Sequence, residues 1–134
     1  MFEYTYKLTS IDFGDFNTEN VVSMSRMFHD ANISSLDLSK FKTNSLKNAE
    51  MMYYYCEELT SLNLAYFDVS KATNLEDFFE FSHLYKLQYL NFSHFKWEEG
   101  RTELFRFFTG LGREETPIEL EHYNPLGINL TEQY

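Results

Sequence analysis

The stretch ISSLDLSKF at residues 33–41 is one of four copies of a single pattern in this chain. The other copies are LTSIDFGDF at 8–16, LTSLNLAYF at 59–67 and LQYLNFSHF at 87–95, and successive copies begin 25, 26 and 28 residues apart. Every copy has apolar residues at its first, fourth, sixth and ninth positions. This register predicts a repeat protein in which each unit buries its apolar face against its neighbours.

Each repeat combines two different periodicities. The fourth to sixth positions of a copy alternate apolar, polar, apolar, which predicts a short half-buried strand. After each of the first three copies, apolar residues follow at spacing i, i+3, i+6, i+7, which predicts one stripe of a short helix. These residues are Val21, Met24, Met27 and Phe28, then Leu46, Ala49, Met52 and Tyr53, then Ala72, Leu75, Phe78 and Phe79. The sequence therefore predicts an α/β leucine-rich-repeat solenoid, with a parallel sheet on one face and short helices on the other.

The repeated apolar positions define the predicted core. It comprises Leu8, Ile11, Phe13, Phe16, Leu36, Leu38, Phe41, Leu62, Leu64, Phe67, Leu90, Phe92 and Phe95. The repeats are assigned to residues 1–97, and the chain is expected to begin at the end of a repeat whose strand is missing. Residues 98–134 are expected to form a terminal helix and an acidic segment, which either caps the last repeat, with a strand near 117–122, or forms a solvated tail.

Composition and charge exclude several classes of function. The 134 residues carry 11 basic and 21 acidic side chains, a formal net charge of −10, so the chain repels nucleic-acid phosphates. No apolar run approaches the roughly 20 residues that span a bilayer, so we expect no membrane insertion by these residues. The N-terminus lacks the basic start and apolar segment of a signal peptide. Cys56 is the only cysteine, which rules out an intrachain disulfide.

The repeat has a specific resemblance. The pattern Leu-Thr-Ser-Leu-Asp-Leu-Ser-x-Phe, followed by Val-x-x-Met-x-x-Met-Phe, resembles the BspA-like leucine-rich-repeat surface proteins of wall-less bacteria, other host-associated bacteria and parasitic protists. Residues 1–97 carry the resemblance, most clearly 8–28, while Trp97 stands where the pattern usually has threonine. The resemblance implies a surface protein, often a lipoprotein, that acts in adhesion and lies at the cell surface or is secreted.

The outward positions of the predicted strands are the candidate binding face, because a stacked sheet is broad and rigid. They are Ser10, Asp12, Ser35, Asp37, Ser61, Asn63, Tyr89 and Asn91. One interpretation is a contact surface for a protein or glycan partner, with Tyr89 as its anchor. The alternative is a hydrogen-bonded Asp/Asn ladder that keeps the sheet soluble and in register.

Catalytic motifs are missing from the sequence. The four histidines have no metal-ligand spacing, and neither a Gly-rich phosphate loop nor a nucleophile elbow is present. We therefore predict a non-enzymatic interaction or adhesion module that needs no metal or cofactor. The alternative function is an architectural spacer or scaffold segment of a larger assembly.

Overall fold

Three of the four predicted repeat strands form, and they lie in one parallel sheet. The computed structural model describes residues 1–78, 84, 86–98 and 119–121. The strands are β1 (Ser35–Asp37), β2 (Ser61–Asn63), β3 (Tyr89–Asn91) and β4 (Glu119–Glu121), in the order β1-β2-β3-β4. Leu36 pairs with Leu62, and Leu62 pairs with Leu90, so equivalent positions of the repeat stack directly on one another.

The predicted helices are wrong. Within the residues that the structure describes there is no helix, so the α/β class with short helices on one face does not hold. The segments that follow the repeat copies run as successive tight turns. Ser23, Asn48 and Asn74 form a second parallel ladder there through isolated bridges. Each repeat is therefore a coil of strand and turns, and the coils stack through hydrogen bonds on both sides.

Backbone hydrogen bonds explain why no helix forms. In the first turn segment, the Met24 N–H donates to the Asn48 carbonyl of the next coil at 2.8 Å, and the Phe28 N–H donates to Met52 at 3.0 Å. An α-helix would direct these N–H groups along its own axis. Arg26 and Asp30 also have φ values of 53° and 52°, which a right-handed helix excludes.

The three-residue apolar spacing marks turns rather than a helical stripe. Met27 donates its N–H to the Met24 carbonyl at 3.0 Å, and Met52 donates to Ala49 at 3.3 Å. All four of these side chains are buried. Each apolar pair thus brackets one tight turn, and the two residues between them are more exposed than the pair itself.

The core runs continuously between the sheet and the turn segments. Leu36, Leu62 and Leu90 are no more than 2% exposed. Behind them lies a column of aromatic side chains that is also buried. In that column Phe28 and Tyr53 stack with ring centroids 5.9 Å apart. Cys56 lies in this core and donates its Sγ–H to the Phe28 carbonyl at 3.0 Å. Burial raises the pKa of this thiol to about 12.

The first repeat copy departs from the predicted core. Phe16 is 42% exposed, and Leu8, Ile11 and Phe13 are only partly buried. No strand forms at 10–12, although 8–16 carries the same pattern as the later copies. Burial in a stacked repeat comes from neighbours on both sides. On one side of this layer the described residues provide only part of a coil, with Phe2 against Phe13 at a ring-centroid distance of 6.3 Å.

The C-terminal predictions fall largely outside the described residues. This applies to the terminal helix and to most of the acidic segment. The exception is β4, which lies within 117–122 and pairs in parallel with β3, Leu90 opposite Leu120. Among the residues described, none belongs to a helix that could cross a bilayer.

Buried threonines join neighbouring coils. Thr43 is 1% exposed, and its Oγ1 accepts the Asp68 N–H at 2.6 Å. We expect Thr43→Val, which keeps the shape but removes the acceptor, to lower the free energy of unfolding by about 1–3 kcal/mol. Urea denaturation measures this loss. Thr43→Ser keeps the acceptor and should cost less, and an equal loss in both variants would contradict the role of this hydrogen bond.

Candidate binding face

The outward face of the sheet is an ordered array of polar side chains. Ser35 lies opposite Ser61, which lies opposite Tyr89, and these three form the first column. The second column is Asp37, Asn63 and Asn91, in the same register. The leucine between the two columns is buried in β1, β2 and β3, so the columns project from the opposite face of the sheet. Six of the eight predicted site residues are thus brought together.

Exposure falls along this face from β1 to β3. Ser35 and Asp37 are exposed, whereas Ser61, Asn63, Tyr89 and Asn91 are half-buried. Charge falls in the same direction, because the aspartate of β1 is replaced by asparagine in β2 and β3. The most accessible and most polar part of the face therefore lies at β1.

The aspartate and asparagine column also has a structural function. The Oδ1 atom of Asp37 accepts the Ser39 N–H at 3.0 Å, and that of Asn63 accepts the Ala65 N–H at 3.1 Å. Asn91 accepts the Ser93 N–H in the same way at 2.8 Å. Such Asx turns end each strand and start the turn that follows it. The interpretation as a hydrogen-bonded ladder thus has a defined geometry. It uses one oxygen of each side chain, so the rest of the side chain can contact a partner.

The two remaining predicted residues, Ser10 and Asp12, are exposed but lie on no strand. Asp12 still makes the Asx turn, accepting the Gly14 N–H at 2.9 Å, and Gly14 has a φ of 50°. Asp12 and Asp37 line one cavity of about 120 Å³. These two carboxylates of the predicted binding face are therefore found together beside β1.

Six of the eight residues that line this cavity were not among the predicted site residues. Lys40 and Phe16 also line it, beside Phe13 and Phe41. The Phe13 and Phe41 rings meet edge to face with centroids 4.9 Å apart. The cavity combines a cation, two carboxylates and aromatic surface. The one sequence feature that could have indicated this cavity is the position of Phe16 in the first repeat copy, where stacking is incomplete.

A group of tyrosines away from the sheet face also escaped the sequence analysis. Tyr4, Tyr6 and Tyr55 are 52%, 60% and 39% exposed. Tyr4 and Tyr55 have φ values of 59° and 57°, which are unusual for bulky residues. These positions are sharp corners of the coil, where a side chain projects outward.

Among the described residues, the candidate metal ligands are scattered and the cysteine is buried. No group of three or more His, Cys, Asp or Glu side chains in them could hold a metal ion. The Cys56 thiol is protonated near neutral pH because burial raises its pKa to about 12, so it is not a nucleophile. The accessible chemistry is that of hydrogen-bonding and aromatic contact surfaces.

These features define a class of protein: a stacked-coil repeat domain with an ordered polar sheet face. The model of one family, described as "Mycoplasma protein of unknown function, DUF285", matches residues 1–92, and the chain belongs to that family. No curated protein and no solved structure matches the chain significantly. The predicted repeat boundary at 97 stays a prediction.

Proposed function

We propose that the chain is a non-enzymatic interaction or adhesion module that binds a protein or glycan partner through the outward face of β1–β3. The single observation that carries this proposal is the register that aligns Ser35, Ser61 and Tyr89 beside the aspartate and asparagine column. A repeated polar array on a rigid backbone loses little conformational entropy on binding, which favours contact with extended partners.

The resemblance to BspA-like surface proteins supports a function in adhesion. Proteins of that kind act in adhesion and host contact, which suits a module with a broad polar face. We propose, on the same ground, that the intact protein lies at the cell surface or is secreted. Partners with phosphate backbones are disfavoured by the net charge of −10.

The test uses the full chain and a panel of purified host-surface proteins and immobilised glycans. For a panel member that binds, Asp37→Ala and Tyr89→Ala should each weaken affinity by about fivefold or more, equivalent to about 1 kcal/mol. Asp37→Asn preserves the Asx turn, since asparagine fills this position in β2 and β3, and it isolates the contribution of charge. Biolayer interferometry measures the affinities.

Glu76→Ala is the matched control, because Glu76 is exposed on the turn segments rather than on the sheet. It should leave affinity unchanged. The proposal fails if no panel member binds, if both sheet substitutions are silent, or if Glu76→Ala alone weakens binding.

One observation favours the alternative, an architectural segment of a larger assembly. The layer that contains Phe16 and Ile11 is incompletely covered, with Phe16 42% exposed. A further coil of the same repeat would bury these side chains as neighbouring coils bury Phe41 and Phe67. Light scattering distinguishes the two functions, because an assembly segment should associate with increasing concentration and an isolated adhesion module should stay monomeric.

A further inference from the structure

Aromatic residues reach the edge of the polar sheet face at the eighth position of the repeat copies. Lys40 occupies this position in the copy at 33–41 and lines one cavity together with Asp37, so the eighth position lies beside the fifth. Tyr66 is the equivalent residue one coil later, where Asn63 pairs with Asp37 in the sheet register. Tyr66 is therefore placed beside the aspartate and asparagine column.

Tyr66 and His94 form an exposed aromatic pair. Their ring centroids are 4.6 Å apart and their planes differ by 12°, so His94 covers one face of the Tyr66 ring. Tyr66 is nevertheless 62% exposed. Since His94 belongs to the coil of β3, the open face of the Tyr66 ring is the one directed toward the coil of β1. This face is a flat apolar surface at the border of the polar columns.

The backbone fixes the position of this ring. Tyr66 has a φ of 65°, a left-handed conformation that bulky residues rarely adopt. Its N–H donates to the Ser93 carbonyl of the next coil at 2.8 Å. The following residue, Phe67, is fully buried and anchors the corner in the core. A ring on a corner held in this way loses little conformational entropy when a ligand stacks on it.

A hydrogen-bond acceptor and a hydrogen-bond donor lie beside the open ring face. Asp37 uses its Oδ1 atom for the Asx turn, and Asn63 uses its Oδ1 atom in the same way. Within the part of the chain that the structure describes, no hydrogen bond engages Asp37 Oδ2 or Asn63 Nδ2. A ligand over Tyr66 thus meets a carboxylate acceptor and an amide donor together with apolar surface.

These groups restrict the chemistry of the ligand. An apolar side chain or a proline ring can stack on Tyr66, but neither has a donor for the Asp37 carboxylate, whose lost hydration would go uncompensated. A cation is repelled by Lys40, which shares the cavity with Asp37. An anion is disfavoured by Asp37 and by the net charge of −10. A neutral sugar suits all of these groups, because its ring carries C–H groups on its face and hydroxyls that donate and accept on its rim.

We propose that the open face of Tyr66 stacks on a neutral sugar ring whose hydroxyl groups hydrogen bond to Asp37 and Asn63. This inference rests on the proposed function, since it names a glycan as the ligand of the same sheet face. It adds Tyr66 to the residues of that face and makes its ring the group that selects a sugar.

The test is an NMR titration of the isotopically labelled full chain with neutral disaccharides. The probes are cellobiose, N,N′-diacetylchitobiose and lactose, and glycerol is the control because it has hydroxyls without a ring. We expect at least one disaccharide to cause saturable shifts at the Ala65 amide and the Tyr66 ring protons, with a dissociation constant on the order of 1–10 mM. Raising the salt concentration should leave this constant unchanged, because the ligand carries no charge.

Variants assign the binding to the Tyr66 ring. Tyr66→Asn, which removes the ring and suits a φ of 65°, should weaken the disaccharide about fivefold or more. Tyr66→Phe keeps the ring and should lose less affinity than Tyr66→Asn. Tyr4→Asn is the matched control, because Tyr4 is also exposed and left-handed, with a φ of 59°, but lies away from the sheet face. It should leave the affinity unchanged.

A proline-rich peptide is the competing ligand, because proline rings also stack on exposed aromatic residues. Acetyl-tetraproline amide serves as its probe. Four results would overturn the sugar site: no saturable shift with any disaccharide, equal shifts with glycerol, equal effects of Tyr66→Asn and Tyr4→Asn, and tighter binding of the tetraproline than of every disaccharide.

The sheet-face experiment separates this inference from the proposed function. A panel protein whose affinity falls with Asp37→Ala and Tyr89→Ala, but not with Tyr66→Asn, would support the proposed function. If no disaccharide bound in the same preparation, the sugar site alone would be overturned.

Discussion

Replacing Phe67 with alanine should lower the free energy of unfolding by about 3–5 kcal/mol. Phe67 is fully buried and stacks on Phe95 with ring centroids 6.3 Å apart. Coils above and below hold the surrounding atoms in place, so the cavity left by the ring collapses only in part. Urea denaturation followed by circular dichroism measures the loss, and an unchanged slope shows that the variant unfolds in the same manner.

Phe16→Ala is the matched control, since Phe16 occupies the same repeat position in the first copy. Its side chain is 42% exposed, so truncation removes less buried surface and leaves no closed cavity. We expect a loss of about 1 kcal/mol or less. Equal losses at the two positions would show that Phe16 is covered as fully as Phe67, which contradicts the open first layer.

The register of the sheet was predictable because its signal is redundant. Leu36, Leu62 and Leu90 each lie between two polar residues, and the spacing between copies aligns them. A slip of one residue would turn every leucine to solvent. The same alternation placed Ser35 and Asp37 on the outward face, so the sheet part of the candidate site followed from the sequence as well.

The turn segments were not predictable from the same pattern. Apolar residues three apart, such as Met24 and Met27, are compatible with a helical stripe and with consecutive tight turns. The deciding interactions are hydrogen bonds between coils, such as Arg26 N–H to the Glu50 carbonyl at 2.9 Å. The positive φ values fall on residues such as Arg26 and Met51, where the sequence offers neither glycine nor asparagine as a marker.

A small cavity of about 80 Å³ at a corner of the coils, lined by Tyr6, Asp30 and Tyr55 among others, escaped the sequence analysis for the same reason. Tyr6, Asp30 and Tyr55 are far apart in the chain and share no motif. They meet because the corners of successive coils stack. The corner itself depends on left-handed backbone at Asp30 and Tyr55, and no glycine marks either position in the sequence.

Alkaline pH should destabilise this protein through Cys56. Burial in the core, with a smaller contribution from Asp30, raises the pKa of the thiol from 9.0 to about 12, against an opposing backbone hydrogen bond from Ala31. The folded protein therefore favours the neutral thiol, while the unfolded chain ionises it above its ordinary pKa. The stabilisation is complete below about pH 9 and is lost as pH rises toward 12.

The expected loss is large enough to measure against a matched variant. From about pH 8 to about pH 11, the thiol should account for about 3 kcal/mol of the fall in the free energy of unfolding. Cys56→Ala removes the ionisable group and places at this position the residue that Ala31 supplies one coil earlier. Burial, with a smaller contribution from Cys56, also raises the pKa of Tyr53. The difference between the two pH profiles therefore reports the thiol together with its coupling to Tyr53. Parallel profiles for the two proteins would mean that Cys56 meets solvent in the folded state, and the packed column of Ala31 and Cys56 would then be wrong.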